Sequence, residues 1–237
     1  MLDANAAPRS LVLPPPYTAH WLPRGDALAE ACRRAEAEGA GRLVWHASGG
    51  EGSVGRLDFA VVLEPETPLA QARRAFIAGM VALGDALAAE GPPERPVGFG
   101  WPGEVSFDGG RLGGMRLAVA PGADPESVPE WMVIGAELIA NRDHLSEPGA
   151  RPDSVSLKEE EFADPPAIVE SFAAYLMLNF DRWKHDGFAS VAARYAARLG
   201  SGATLTEAGD LKLDDGVASL ETALRFQAWR DESGPIP

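Results

Sequence analysis

One cysteine, Cys32, stands in 237 residues. No intramolecular disulfide and no cysteine-built metal cluster can form, and a reducing, cytoplasmic setting is expected. Apolar runs are short as well. None approaches the ~18 to 20 residues that span a bilayer, and no charged segment followed by a long apolar stretch opens the chain, so neither a membrane span nor a secretory leader is expected. Basic residues are scarce: Lys and Arg number 21 against 35 Asp and Glu, for a formal net charge of -14, and no basic run occurs. Nucleic acid and acidic membranes are therefore not expected partners, because phosphate contacts need clustered cations.

What remains has the composition of a soluble globular chain, with 46% hydrophobic and 24% charged residues. That length suits one sizeable domain with a small appendage. An extended arm is expected over 1–25, where Pro14-Pro15-Pro16 forbids helix and Leu11, Val12, Leu13, Tyr17 and Trp21 are apolar enough to lie against the body. The main domain is expected over 26–200 and a small β hairpin subdomain over 201–237, too small to fold alone.

Within the main domain, Asp26 and Gly39 bracket a helix whose Leu28, Cys32 and Ala35 share a face, which makes Cys32 a small core residue. Leu43-Val44-Trp45 and Leu57 to Leu63 read as strands, the second so continuously apolar that it belongs in the middle of a sheet. Between them, Ser48 to Arg56 is rich in Gly and Ser. It reads either as a phosphate-cradling loop or as a flexible hairpin connection. Leu69, Ala72, Phe76, Met80, Leu83 and Leu87 recur at helical spacing and predict one long helix from about Pro68 to Glu90. Trp131 to Leu138 reads as a further strand, His144 as a solvated loop residue, and Ser156 to Phe162 as a short acidic helical turn. Asp164-Pro165-Pro166 is a capped helix start, and a second helix follows Asp186-Gly187. In the appendage, 204–206 and 211–213 are expected to pair across Glu207-Ala208-Gly209-Asp210.

The stretch from Gly98 to Leu117 is the most informative. It reads as a strand ending at Trp101-Pro102, a strand from Glu104 to Phe107, a tight turn on Asp108-Gly109-Gly110, and a strand from Arg111 to Val119. Gly98, Gly100, Gly113 and Gly114 stand where strands usually avoid glycine. They mark either close approach of a ligand, with the sheet near Gly114 as a pocket floor, or bulges and tight packing.

Trp101-Pro102-Gly103-Glu104, followed after the hairpin by Arg111-Leu112-Gly113-Gly114-Met115, resembles the paired motifs of biotin and lipoate protein ligases, Lys-Trp-Pro-Asn-Asp and Lys-Leu-x-Gly-Ile. Phe180 to Phe188 is similar to the junction between two helices in that family, and the order of elements from Asp26 to Leu199 agrees. The resemblance implies an α+β fold like that of class II aminoacyl-tRNA synthetases: a mixed, largely antiparallel sheet with helices on one face, plus a small C-terminal β appendage.

For activity, the resemblance implies adenylation of a small carboxylic acid such as biotin, lipoate or octanoate, and transfer to a lysine of a carrier protein. Arg111 and Arg56 would then face phosphate or carboxylate, with Arg111 in the catalytic role. Glu104 would contact Mg²⁺ or ribose, and Trp101, Gly113 and Gly114 would line the ligand. ATP and Mg²⁺ are implied only if ligation is retained; no cofactor and no resident metal is certain. Homodimerisation through a sheet edge is implied by the family alone. The chain departs from the family pattern in its cations. The lysine before Trp-Pro is Gly100, Asn-Asp is Gly103-Glu104, and the Gly-Arg-Gly-Arg-x-Gly loop keeps one arginine, Arg56. Each lost donor commonly costs ~3 to 4 kcal/mol of transition-state stabilisation. The expected function is therefore a ligase-like protein with a degenerate site, the alternative being a non-catalytic relative that binds a carboxylate, nucleotide or protein.

Overall fold

The computed structural model describes residues 10–49, 53–145 and 151–237. Met1 to Arg9 of the expected arm, part of the Ser48–Arg56 loop and part of the 141–152 loop lie outside them.

The arm ends as a strand. Thr18–Trp21 (β1) runs parallel to Arg42–Ala47 (β2), with Thr18 beside Arg42 and Trp21 beside Trp45. Periodicity could not show it, because four residues after a triproline carry too little pattern. Between these strands, Ala27–Glu38 (α1) starts where the Asp26 side chain accepts from the Ala29 amide at 3.0 Å and ends at Gly39, whose φ of 72° suits glycine.

β2 pairs antiparallel with Gly55–Leu63 (β3), and the expected long helix comes next. It is two helices, Leu69–Ala72 (α2) and Ala75–Glu90 (α3). Around Arg73-Arg74 the hydrogen bonds tighten to i→i−3: Arg74 N reaches Gln71 O at 3.2 Å and Ile77 N reaches Arg74 O at 3.0 Å. The side chains explain the break. Arg73 reaches out to Glu221, and Arg74 reaches the Glu207 carbonyl while stacking on Trp183 and Phe188.

Val97–Gly100 (β4), Glu104–Phe107 (β5) and Gly110–Val119 (β6) form the antiparallel ladder expected. The turn between the last two has positive φ at Asp108 (49°) and Gly109 (85°), as a two-residue hairpin requires. Met132–Asn141 (β7) returns between β6 and β3, giving one seven-stranded sheet ordered β1-β2-β3-β7-β6-β5-β4. The apolar β3 is interior, as its composition demanded, and among the described strands of this sheet the β1–β2 pair is the parallel one.

Pro165–Asp186 (α4) and Phe188–Leu199 (α5) follow, although Asp164 makes no side-chain cap bond. The expectation of helices on one face holds for α3, α4 and α5, which cover Leu43, Trp45, Phe59, Val61, Met115, Ile134, Ala136 and Leu138. Helix α1 is the exception: Ala27, Ala31 and Ala35 pack on Val44, Ala60, Val62 and Val133, the opposite face. Helix α3 is buried from Ala75 to Leu87, and Gly79 admits Ile134 and Met115 where any side chain would collide.

In the appendage, Leu211–Leu213 (β8) pairs with Gly216–Ala218 (β9), so the hairpin turns on Asp214-Asp215. The two segments expected to pair meet in a single bridge, Leu205 with Leu211, because Thr206 closes 206–210 as a turn by accepting from the Asp210 amide. Leu220–Ala223 (α6), Arg230–Asp231 (β10) and Gly234–Pro235 (β11) complete the described chain.

One polar cluster ties the helix layer together. Asp85, on the otherwise apolar α3, accepts from Arg194 and Arg198 at 2.9 Å each and from Asn179 at 3.2 Å. Removing the carboxylate strands two cations. Asp85→Ala should lower unfolding free energy by about 3 kcal/mol, near the bottom of the range for a broken buried pair because both arginines are partly exposed. Urea denaturation followed by far-UV circular dichroism measures it.

Candidate ligand site on the open sheet face

Residues paired across neighbouring strands point to the same side of a sheet. His46 pairs with Asp58, Asp58 with Glu137, Glu137 with Gly114, Gly114 with Glu104, and Glu104 with Gly100. One row of titratable and glycine positions therefore crosses six strands. It lies on the side of α1, because the residues that alternate with it, such as Trp45, Phe59, Ala136 and Met115, face α3 to α5.

Asp58 and Glu137 are each 2% exposed, and cations gather on them. Glu137 pairs with Arg116 through one oxygen and with Arg230 Nε through the other, at 3.0 Å. Arg116 also donates to Asp26 at 2.7 Å, so the cap of α1 is shared with the row. Among the described residues Asp58 has one ion-pair partner, Arg56, whose Nε is 3.9 Å away, and its Oδ1 has no hydrogen-bond partner. Burial, helped by the charges of Glu137 and Asp26 and opposed by Arg56 and Arg116, pushes its pKa up to about 7. Burial also lowers that of His46, next in the row.

Arg56 donates to the Ser233 carbonyl at 2.7 Å. Arg111 lies 3.6 Å from Glu104 and donates to the Ile236 carbonyl at 3.3 Å. Gly114 is covered by the indole of Trp229 and by the Gly103 carbonyl, so close approach is the reason for this glycine. Gly113 is glycine for the other reason: its φ is 149°, the β5–β6 register shifts beside it, and a side chain would strike the Glu137 carbonyl. Arg56, Arg111, Glu104 and Gly114 thus sit on one face. Trp101 does not join them. It packs edge-on to Tyr195 at 6.1 Å, on the helix side, where the Tyr195 hydroxyl donates to the Pro102 carbonyl at 2.6 Å.

The base of the Ser48–Arg56 loop closes as a ladder, with Ser48 N donating to Arg56 O at 2.8 Å. Asp58, Glu137, Arg116, Trp229 and Arg230 escaped the sequence reading. For the two carboxylates a signal existed: Glu137 is the one charged residue of β7, and Asp58 interrupts the otherwise apolar run 57–63 of β3, placements that burial penalises unless the charge is paired.

The model of the Biotin/lipoate A/B protein ligase family matches residues 13–197. The chain belongs to that family. A curated relative, the biotin--[acetyl-CoA-carboxylase] ligase of Paracoccus denitrificans, is 33% identical over 150 residues; the match covers 59% of this chain and 60% of that protein. Among solved structures, a biotin protein ligase-like protein of unknown function from Silicibacter sp. tm1040 is 27% identical, with a TM-score of 0.77 over 90% of this chain and 99% of its own. The Aquifex aeolicus biotin protein ligase in complex with biotin and ATP shares the fold at 17% identity, with a TM-score of 0.60 over 84% of this chain and 93% of its own. The family assignment and the sheet agree with the motif reading. Among the described residues, no helix is long and apolar enough to cross a membrane.

Asp58 gives a pH signature of known sign. An unfolded aspartate titrates near ~3.9, so between that pH and about 7 the folded chain holds a proton that the unfolded chain has released. Its stabilising contribution is complete below the unfolded value and is lost as pH rises through 7, by at most roughly 4 kcal/mol. Asp58→Asn should therefore melt less pH-dependently than wild type between about pH 5 and pH 8, gaining most at the alkaline end, as thermal denaturation across that range would record.

Proposed function

We propose that this protein is a ligase-like member of its family that binds a small carboxylic acid, such as biotin, lipoate or octanoate, on the sheet face around Gly114 and activates it with ATP. The observation that supports this reading is that Arg56 and Arg111 both donate to one short segment, 233–236, that follows the ring covering Gly114.

In the proposed chemistry, a carboxylate oxygen attacks the α-phosphorus of ATP and pyrophosphate leaves. A carrier-protein lysine amine then attacks the acyl carbon, loses its proton, and AMP leaves. Both steps pass through a crowded anion, which fixed guanidinium groups stabilise without reorganising. Arg111 is the residue assigned to the phosphate and carboxylate, with Arg56 supporting it from β3. A Mg²⁺ ion would neutralise phosphate charge. Glu104 suits it, since such ions use one or two carboxylates together with nucleotide phosphates. Among the described residues no group of three or more His, Cys, Asp or Glu could hold a metal, so the ion would arrive with the nucleotide.

With Gly100 in place of a lysine and Arg56 as the one arginine of its loop, turnover should be slow. A cytoplasmic location and a carrier-protein partner belong to this same reading.

Incubating the full chain with ATP, Mg²⁺ and each acid in turn should release pyrophosphate with one of them. Arg111→Ala should slow that release by about 100-fold or more. Binding of an acyl-adenylate without pyrophosphate release would instead establish the non-catalytic alternative.

A further inference from the structure

The groups assigned to the ligand are already engaged by the chain itself. Arg56 donates to the Ser233 carbonyl at 2.7 Å and Arg111 to the Ile236 carbonyl at 3.3 Å. Trp229 covers Gly114 and is 2% exposed, and Arg230 holds Glu137. Gly234, with a φ of 125°, lets the guanidinium of Arg56 pack directly on the backbone.

Three features mark the segment 229–237 as an exchangeable occupant. Its fit is incomplete: Arg111 Nε and Trp229 Nε1 are buried with no hydrogen-bond partner among the described residues, and an unmet donor costs free energy that an anionic ligand on Arg111, or release of the Trp229 indole to water, would recover. Its bonds to the arginines use neutral carbonyls, whereas a carboxylate or phosphate would form charge-assisted bonds of roughly twice the strength. Its own framework is thin: β10 and β11 are two residues each, Ile236 N reaches Trp229 O at 3.0 Å, and Asp231, Glu232 and Ser233 are exposed.

We propose that Trp229–Pro237 is a strap seated in the ligand site, and that an anionic ligand, ATP or an acyl-adenylate, enters by displacing it. This rests on the reading of the face around Gly114 as the ligand site. Wild-type protein would then bind more weakly than its bare site allows, because affinity is reduced by the fraction of molecules whose site is open. The strap also opens without the rest of the sheet, as locally held segments do.

Hydrogen exchange on the full wild-type chain tests the opening. The Ile236 amide and the Trp229 indole N–H should exchange at least about 100-fold faster than amides of β3 and β7. Calorimetry with ATP and Mg²⁺, and with biotinyl-5′-AMP, tests the displacement. Trp229→Ala should bind whichever probe the wild type binds about 10- to 100-fold more tightly, with Trp229→Phe between the two. Exchange of 229–237 only on whole-molecule unfolding, or weaker binding by Trp229→Ala, would overturn the strap while leaving the ligand site in place. Early exchange with no probe bound by any of the three proteins would overturn the ligase reading, and the displacement with it.

Discussion

Asp58 and Glu137 stand directly opposite one another on the two central strands, both out of water. Two carboxylates cannot be buried side by side unless cations or protons accompany them, since the desolvation cost of each is several kcal/mol. Much of the open face follows from this demand. Glu137 draws Arg116 from β6 and Arg230 from far along the chain; Arg116 in turn fixes the cap of α1; Asp58, less well supplied, takes Arg56 and keeps a raised pKa. The sheet can therefore carry apolar packing on one side and a charged row on the other without losing its register.

The two faces are held by different physics. On the helix side, contiguous apolar burial does most of the work, with the Asp85 cluster tying α3, α4 and α5 together. On the α1 side, a short alanine-rich helix packs on Val44, Ala60, Val62 and Val133, while charge pairs and the ring of Trp229 cover Glu137 and Gly114. A ligand site needs such a face. Polar groups held by neighbours of modest affinity can change partners, whereas interdigitated leucines and phenylalanines cannot.

Much of the fold was legible because its signals are local. Asp26 and Gly39 announced α1, Asp108-Gly109 announced the hairpin, and the apolar run from Leu57 placed β3 inside the sheet. Long-range features were harder to read. Strand β1 depends on pairing rather than pattern, and the interruption at Arg73-Arg74 depends on partners more than a hundred positions away. The site was half legible. The motifs singled out Arg56, Glu104, Arg111 and Gly114, which the strands bring to one face, but nothing near Trp229 indicates that it would lie on Gly114, and the bond from Arg56 to Ser233 spans 177 positions. Trp101 shows the reverse case, since its position within the motif did not reveal that its ring turns toward Tyr195.

The order of strands leaves β1 and β4 at the two margins of the sheet, and both are four residues long. Each is bracketed by prolines: Pro16 and Pro23 around β1, Pro96 and Pro102 around β4. Proline has no amide hydrogen to offer a ladder, so neither margin can lengthen to recruit a foreign strand. Any chain adding to this sheet has a template of about 13 Å at most, four residues at the usual rise, too short for runaway polymerisation. Both margins of the sheet thus stay closed to the addition of a long strand.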